Sequence, residues 1–424
     1  MLVFECKLKG KTEQFNRIDE AIRTGQFIRN SCLKYWQENK ETTKNDLQKY
    51  CAVLAANPDF SWAKKLNSQA RQAHADRAWF AISRFCALNA PRFANDNGKN
   101  KVPGKKGYPK FKKNSHSVEY KTTGWKLSEE RKRLTLTDGF NAGTFKLKGS
   151  RNLHFYQLKQ IKRIRIIKRA DGYYAQFLID VERSEEQCYT GTQVGLDVGL
   201  ASFYTDSNGN KVDNPRYLRK SERQLNHLVI RLSRRYQNPN KGKKGEKMSK
   251  TKIKQSKRFH KARIQVARQH LDISRQRKDF VVKTARCVIQ SNDLVAYEDL
   301  KVRNMVKNRK LAKSISDASW SSFREWLEYF AKVFNKVVIA VPPHYTSQNC
   351  SCCGEVVKKS LSVRTHSCPS CKTVLDRDEN AALNILMKAL EVLGINTVGH
   401  TGINAQGQTN PCLVGENLLG KLTG

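Results

Sequence analysis

Residues Cys350 to Leu386 read CSCCGEVVKKSLSVRTHSCPSCKTVLDRDENAALNIL. Two Cys-x-x-Cys pairs, Cys350/Cys353 and Cys368/Cys371, are separated by 14 residues. Four thiolates at that spacing predict a tetrahedral structural zinc site. The ribbon between them has too little apolar content to fold without a metal. Cys352 and His366 lie in the same stretch and either could substitute for a ligand; the four-thiolate set is the expectation. Four residues after Cys371, the cluster Asp376-Arg377-Asp378-Glu379-Asn380 opens the helical segment AALNILMKAL. One of its carboxylates is expected to cap the helix, bonding free N–H groups and offsetting the dipole. Two aspartates flanking an arginine exceed what capping requires, so the reading is a metal-held ribbon set against an active site.

Two further acids lie upstream at strand ends. In GLDVGLASFYTDSNG (Gly195 to Gly209), a short apolar strand delivers Asp197, and Phe203–Thr205, the turn at Asn208-Gly209 and Lys211-Val212 predict a hairpin. Asp-x-Gly after a strand is shared by RNase H-like nucleases, actin-like ATPases and sugar kinases. In DLVAYEDL (Asp293 to Leu300), a buried-type strand ends in Glu298 and follows a helix, an α/β unit. Three carboxylate-bearing elements suit divalent-metal phosphodiester chemistry, because Mg²⁺ or Mn²⁺ prefers oxygen ligands and retains waters.

The formal net charge of the 424 residues is +41, from 79 Lys+Arg against 38 Asp+Glu. Self-repulsion on that scale points to a polyanionic partner, with nucleic acid ahead of an anionic membrane surface. No apolar run is long enough to span a bilayer, and MLVFECKLKG at the start lacks a signal-peptide layout. A soluble intracellular protein with no membrane partner is expected. Of 12 cysteines, five lie between Cys350 and Cys371; Cys6, Cys32, Cys51, Cys86, Cys188, Cys287 and Cys412 are scattered and read as small buried hydrophobes.

Along the chain, Met1 to Lys9 reads as a strand. Helical spacing follows from about Thr12, with a second helical block from about Trp62 to Leu88. The loop NGKNKVPGKKGYPKFKK (Asn97 to Lys113) interleaves lysines with aromatics; it is either a solvated linker or a nucleic-acid contact through Lys105, Lys106, Tyr108, Lys110, Phe111 and Lys112. Strand patterns return from Ser117 to Glu182, including RLTL (Arg133 to Leu136) and IKRIRII (Ile161 to Ile167), whose basic side predicts a positive sheet face. The first strand is expected to join this β unit, making the helical block an insertion. Between Arg216 and Lys278 stand 22 Lys+Arg and three acids, on helices flanking a Gly/Lys-rich connection at Asn238 to Ser256. Helices without acids to pair their lysines repel themselves unless phosphate is near, which favours nucleic-acid binding.

These motifs, in this order, resemble the TnpB (OrfB-like) proteins of insertion sequences, relatives of type V CRISPR effector nucleases. GLDVGL, YEDL, PPHYTSQNCSCCG (Pro342 to Gly354) and HSCPSCKTVLDRDENAALNIL (His366 to Leu386) carry the likeness, and the KKGYPKFKK loop and basic helices agree with it. The resemblance implies an RNA-guided DNA endonuclease of a transposable element, cutting next to a short adjacent motif, with guide RNA and target DNA as partners and a monomer favoured. It implies an α/β RNase H-like (RuvC) nuclease domain with a zinc ribbon insertion, plus a β-barrel wedge domain carrying a helical recognition insertion. The expected boundaries are 1–11 and 117–190 for the wedge, 12–116 for the recognition domain, 191–344 and 372–395 for the nuclease, 345–371 for the ribbon and 396–424 for a flexible tail. Carried over by motif, Asp197, Glu298 and Asp378 are the catalytic acids that bind Mg²⁺ or Mn²⁺. Asp378 is preferred to Asp376 because Asp-x-Asn-Ala is the more widely shared form. Lys372 stands where the family usually has Gly. A miniature type V CRISPR effector and an RNA-guided DNA-binding protein without cleavage are the alternatives.

Overall fold

A computed structural model describes residues 1–39, 41–89, 107–149, 153–237, 254–360 and 362–394. The chain divides into two compact units, Met1–Arg183 and Ser184–Gly424. Lys105, Lys106, Cys412, most of the Asn238–Ser256 connection and the 396–424 tail lie outside the described residues. No helix among the described residues is long and apolar enough to cross a membrane.

In the first unit, β1 (Leu2–Lys9) is followed by α1 (Thr12–Glu38), α2 (Lys44–Ala56) and α3 (Ser68–Asn89). Then come β2 (Ser117–Tyr120), β3 (Trp125–Leu127), β4 (Arg133–Leu136), β5 (Gly143–Lys148), β6 (Ile161–Arg169) and β7 (Gly172–Ile179). They form a seven-stranded sheet in the order β2-β6-β7-β1-β5-β4-β3, with β1 antiparallel to both β5 and β7. The helical block differs from the sequence expectation. Trp62 falls in a 3₁₀ segment, Pro58–Lys65, and α3 starts only at Ser68. An additional helix, α2, forms where Thr43 and Asp46 make a capping box and Leu47, Cys51 and Leu54 supply the buried face.

β6 buries Ile161, Ile164 and Ile166 in the core. Its arginines are partly exposed and share one buried acid. Arg163 and Arg165 reach Glu119 of β2 at 3.0 and 2.8 Å, joined by Arg77 of α3 at 2.9 Å. Burial pushes the Glu119 carboxyl up, but Arg77 and Arg165 outweigh it and hold the group at about 2. A buried acid needs such partners, so three cations are drawn onto one carboxylate and a surplus of positive charge remains.

In the second unit, β8 (Gln193–Val198), β9 (Ser202–Asp206) and β10 (Lys211–Asp213) precede α4 (Tyr217–Ser233), α5 (Lys257–Ser291) and β11 (Leu294–Glu298). Next are α6 (Val302–Met305), α7 (Ala312–Ala318), α8 (Trp320–Phe334), β12 (Val337–Val341), β13 (Thr365–Ser367), β14 (Val374–Asp376) and α9 (Arg377–Val392). The five-stranded sheet runs β10-β9-β8-β11-β12; β8, β11 and β12 are parallel and the β8–β9–β10 meander is antiparallel. Helical crossovers are what parallel neighbours require. One face packs against α5 and α8 through Val194, Leu196, Val295 and Tyr297, and the other receives α9 through Ala296, Val341, Ile385 and Ala389. The chain is thus a mixed α/β protein.

No residue of α4 is buried, and α5 buries mainly its C-terminal part. Asp317 of α7 accepts from the N–H groups of Leu218 and Arg219, capping α4 from another element, and Arg277 of α5 donates to it at 2.8 Å. Cys6, Cys32 and Cys51 are buried as expected, whereas Cys86, Cys188 and Cys287 are exposed. Helical phase overrides the burial tendency of cysteine at Cys287, whose neighbours Val288 and Ile289 take the core positions. Cys86 lies on an exposed face of α3, and Cys188 on the irregular connection before β8.

Candidate active site and metal centre

Strand alternation decides which side chains meet. Val194 and Leu196 of β8 enter the core beneath α5 and α8, so Gly195 and Asp197 face α9. In the same way Val295 and Tyr297 of β11 point to α8, leaving Ala296 and Glu298 on the α9 face. Leu196 pairs with Tyr297 in parallel register, so Asp197 and Glu298 stand side by side at the C-terminal ends of neighbouring strands, about 4.8 Å apart in backbone spacing.

The third acid arrives with α9. A Cβ on Gly195 would lie 2.0 Å from the Ala382 carbonyl oxygen and 2.9 Å from the Leu386 nitrogen, so the helix backbone rests directly on this glycine. Asp378 is four residues before Ala382, about 6 Å along the axis. Asp197 is two residues beyond Gly195, about 6.6 Å along the strand. The carboxylates come close enough to repel: burial first, then Glu298 and Asp378, pushes Asp197 well above the usual carboxylate range, against the pull of Arg377 and Arg364. Burial also raises Glu298, opposed by the Thr346 hydroxyl, which donates to its Oε1, and by Lys388. All three acids are half-buried and remain reachable. Among the described residues, however, only the four-cysteine cluster brings its ligand atoms all within 4.8 Å of one another, so the three acids are spread more widely than a closed single-ion site.

Asp376 and Asp378 do different jobs. Asp376 is the N-cap of α9: its Oδ1 accepts from the N–H groups of Asp378 and Glu379, and its Oδ2 takes a 2.6 Å bond from Lys211. Asp378 is bonded by side chains alone, from Arg377 at 3.0 Å and Arg364 at 3.3 Å. Asn380, buried, donates to the Asn349 carbonyl and accepts from Ser351 N–H, while Asn384 donates to the Thr346 and Asn349 carbonyls. The Asp-x-Asn spacing therefore ties α9 to the loop that enters the first cysteine knuckle, and Thr346 on that loop also holds Glu298. Thr346, Asn384, Lys388 and Arg364 carried no sequence signal of their own; Asn380 was legible only as part of its motif.

The sulfurs of Cys350, Cys353, Cys368 and Cys371 lie within 4.8 Å of one another, with Cys350–Cys371 at 3.6 Å and Cys353–Cys368 at 3.5 Å. Zinc–sulfur bonds of about 2.3 Å put tetrahedral sulfurs about 3.8 Å apart, so the cluster fits zinc. Cys352 is exposed and His366 is buried against Lys359, and neither joins the set. The knuckles close through Gly354 N–H to Cys350 C=O and Lys372 N–H to Cys368 C=O. Gly354 and Lys372 both have left-handed backbone, with φ of 78° and 62°, so Lys372 occupies a conformation that glycine adopts without strain.

Of the basic loop, Tyr108 packs its ring on Phe85 and Trp36, centroids 5.2 and 5.9 Å away, and is 40% exposed; Phe111 is 51% exposed. Arg29 donates to the Lys110 carbonyl, and Asn30 brackets the Lys112 backbone with two hydrogen bonds. This stretch is docked on α1 rather than hanging free. Burial, then Arg29, Arg77 and Arg165, lowers the Lys112 ammonium, which places it at the surplus of cations around Glu119.

Residues 176–309 match the OrfB_IS605 family model, described as "Probable transposase", and residues 320–385 match the model described as "Cas12f1-like, TNB domain". A Streptomyces pristinaespiralis protein named "Putative RNA-guided DNA endonuclease" is 37% identical over 203 residues, 47% of this chain and 46% of that one. The match thus spans less than half of that relative's length. An Escherichia coli (strain K12) protein named "Putative RNA-guided DNA endonuclease InsQ" is 27% identical over 312 residues, 70% of this chain and 72% of the relative. A cryo-EM structure described as a Cas12f1-sgRNA-target DNA complex aligns with 88% of this chain and 82% of its own at 13% identity and a TM-score of 0.49, too distant to carry a structural argument. Two family segments are thus matched in succession, and the four cysteines and the Asp376–Asn380 cluster both lie within the second.

Proposed function

We propose that this protein is an RNA-guided, metal-dependent DNA endonuclease of a transposable element. The observation that supports the reading is that Asp197 and Glu298 end neighbouring parallel strands, while Asp378 at the start of α9 comes near enough to raise the Asp197 carboxyl. Divalent ions bound there would supply an activated water and stabilise the leaving 3′ oxygen. The chain's own part is to preset the ligands: β8 and β11 hold two acids in register, the Asp376 cap fixes the first turn of α9, and Thr346 orients Glu298. Burial and the neighbouring acids raise the Asp197 carboxyl, so protonation would compete with cation binding there and ion affinity should rise with pH.

On this reading residues 191–344 and 372–395 are an RNase H-like (RuvC) domain and residues 345–371 its zinc ribbon, with Cys350, Cys353, Cys368 and Cys371 as ligands. Residues 1–11 and 117–190 are the wedge, and 12–116 its recognition insertion. Guide RNA and target DNA would be gripped through phosphates, with base pairing reading the sequence, which accounts for the net charge of +41. Lys110, Phe111 and Lys112, beside Arg29, Arg77 and Arg165, are the proposed contact on the first unit, and Tyr108 supports them. A cytoplasmic location follows from the partners.

The deciding experiment is to purify the full chain with its co-expressed RNA, sequence that RNA, and incubate the complex with matching DNA and Mg²⁺. Cutting is expected, and Asp197→Ala should bind RNA and DNA while leaving the DNA intact. Cutting by Asp197→Ala would refute the site. The Cas12f1-like match at residues 320–385 keeps a miniature CRISPR effector as the second reading; a guide derived from a repeat array rather than an element end would select it.

A further inference from the structure

A cavity of about 420 Å³ opens at the C-terminal end of β11, on the α8 side of the sheet. It shares two positions with the acidic site: Glu298 itself, and Val198, the residue after Asp197. The acids lie on the α9 face and the cavity on the opposite face, so the two meet across the strand ends, where ligands of open α/β sheets bind. Leu300, Val302, Trp320 and Phe323 give it an apolar, partly aromatic wall. Trp320 is 7% exposed, and its indole N–H has no acceptor among the described residues. Lys301 and Arg303, both exposed, stand at the rim, and among the described residues neither has an acidic partner. Arg324 also lines the cavity but is engaged by Asp299 at 2.7 Å.

We propose that this cavity seats one base of a single DNA strand, while Lys301 and Arg303 hold its phosphate and the neighbouring phosphodiester lies against the three acids. The assignment rests on the endonuclease reading and adds a positioning subsite to it. An apolar and aromatic wall accepts the face of any base, and a cationic rim requires an anionic attachment. The volume lies in the range of small-ligand sites and exceeds what one aliphatic side chain would fill. An apolar peptide would satisfy the wall but leave the rim cations unmatched.

The test uses the full chain with its co-purified RNA, made cleavage-dead by Asp197→Ala, and single-stranded DNA carrying 2-aminopurine at successive positions. Binding should quench the probe at one register only. Val302→Trp, which fills the cavity, should abolish that quench, and Arg303→Glu should weaken binding about tenfold. In the active protein, an abasic site at the same register should lower kcat/KM about tenfold, with part of the loss in kcat. Equal quenching at all registers, a quench that survives Val302→Trp, or tighter binding of the matching RNA oligonucleotide overturns the proposal. Arg303→Glu, at an exposed position, still decides the matter if Val302→Trp does not fold. Binding is read without chemistry: a register-specific quench with no cutting by the wild type would sink the nuclease reading and leave the subsite standing.

Discussion

Replacing Gly195 by alanine tests how the third acid is placed. The added methyl would sit 2.0 Å from the Ala382 carbonyl oxygen, where ordinary contact begins at 3.4 Å. That oxygen belongs to helix backbone and cannot rotate away, so α9 must retreat by about 1.4 Å or the strand must bend; overpacking of this kind costs about 1–3 kcal/mol. Asp378 rides on the same helix, one turn away, while Asp197 and Glu298 stay in the sheet. A shift near 1 Å at a reacting constellation lowers turnover about a hundredfold. Chemical denaturation of the full chain should therefore show a loss of roughly 1–3 kcal/mol. Target cleavage at saturating Mg²⁺ should fall by about two orders of magnitude, with guide RNA still bound. Gly195→Ala with wild-type stability and wild-type cutting would mean that the contact between Gly195 and α9 does not set the site.

Asp376→Ala should cost about 1 kcal/mol through loss of the cap and retain measurable cutting, whereas Asp378→Ala should abolish cutting with little change in stability; the reverse pattern would exchange their roles. Asp197→Asn should be more stable than the wild type in chelator, as read by thermal melts. The raised carboxyl keeps a proton in the folded state that the unfolded chain releases, so metal-free wild-type stability falls as pH rises through the raised value, and the asparagine variant lacks that slope. Identical pH profiles would contradict this. Cys368→Ser should lower the zinc content by elemental analysis and also weaken cutting, because Asn380 and Asn384 tie the ribbon's entry loop to α9. Zinc loss with undiminished cutting would uncouple the two. Lys372→Gly should relieve left-handed strain and stabilise the ribbon by about 1 kcal/mol, seen as slower zinc release to a chelator.

The elements that were legible in sequence are those with a strong local cause. β8, β9 and β11 follow from short apolar runs ending in turns or acids. α2 was missed because its apolar face is short, and α3 was started too early because Trp62 mimics helical spacing while sitting in a 3₁₀ turn behind Pro58. Exposed Cys86, Cys188 and Cys287 were misread because composition carries no phase. The positive face of β6 keeps a surplus of charge, but Glu119, on another strand, draws in Arg163 and Arg165 only after folding.

By itself, the sequence determined the cysteine spacing, the acids at the ends of apolar runs and the overall charge. These are properties of residue type and short-range order. Tertiary structure alone decided that Asp197 and Glu298 share a sheet face, that Asp378 descends on them with α9, that Asp376 is spent on the cap, and that Thr346, Asn380 and Asn384 lock the ribbon loop to the same helix. Each of these depends on strand register and helix direction between segments far apart in the chain. Those relations are fixed by the packing of two cores, and no local pattern encodes them.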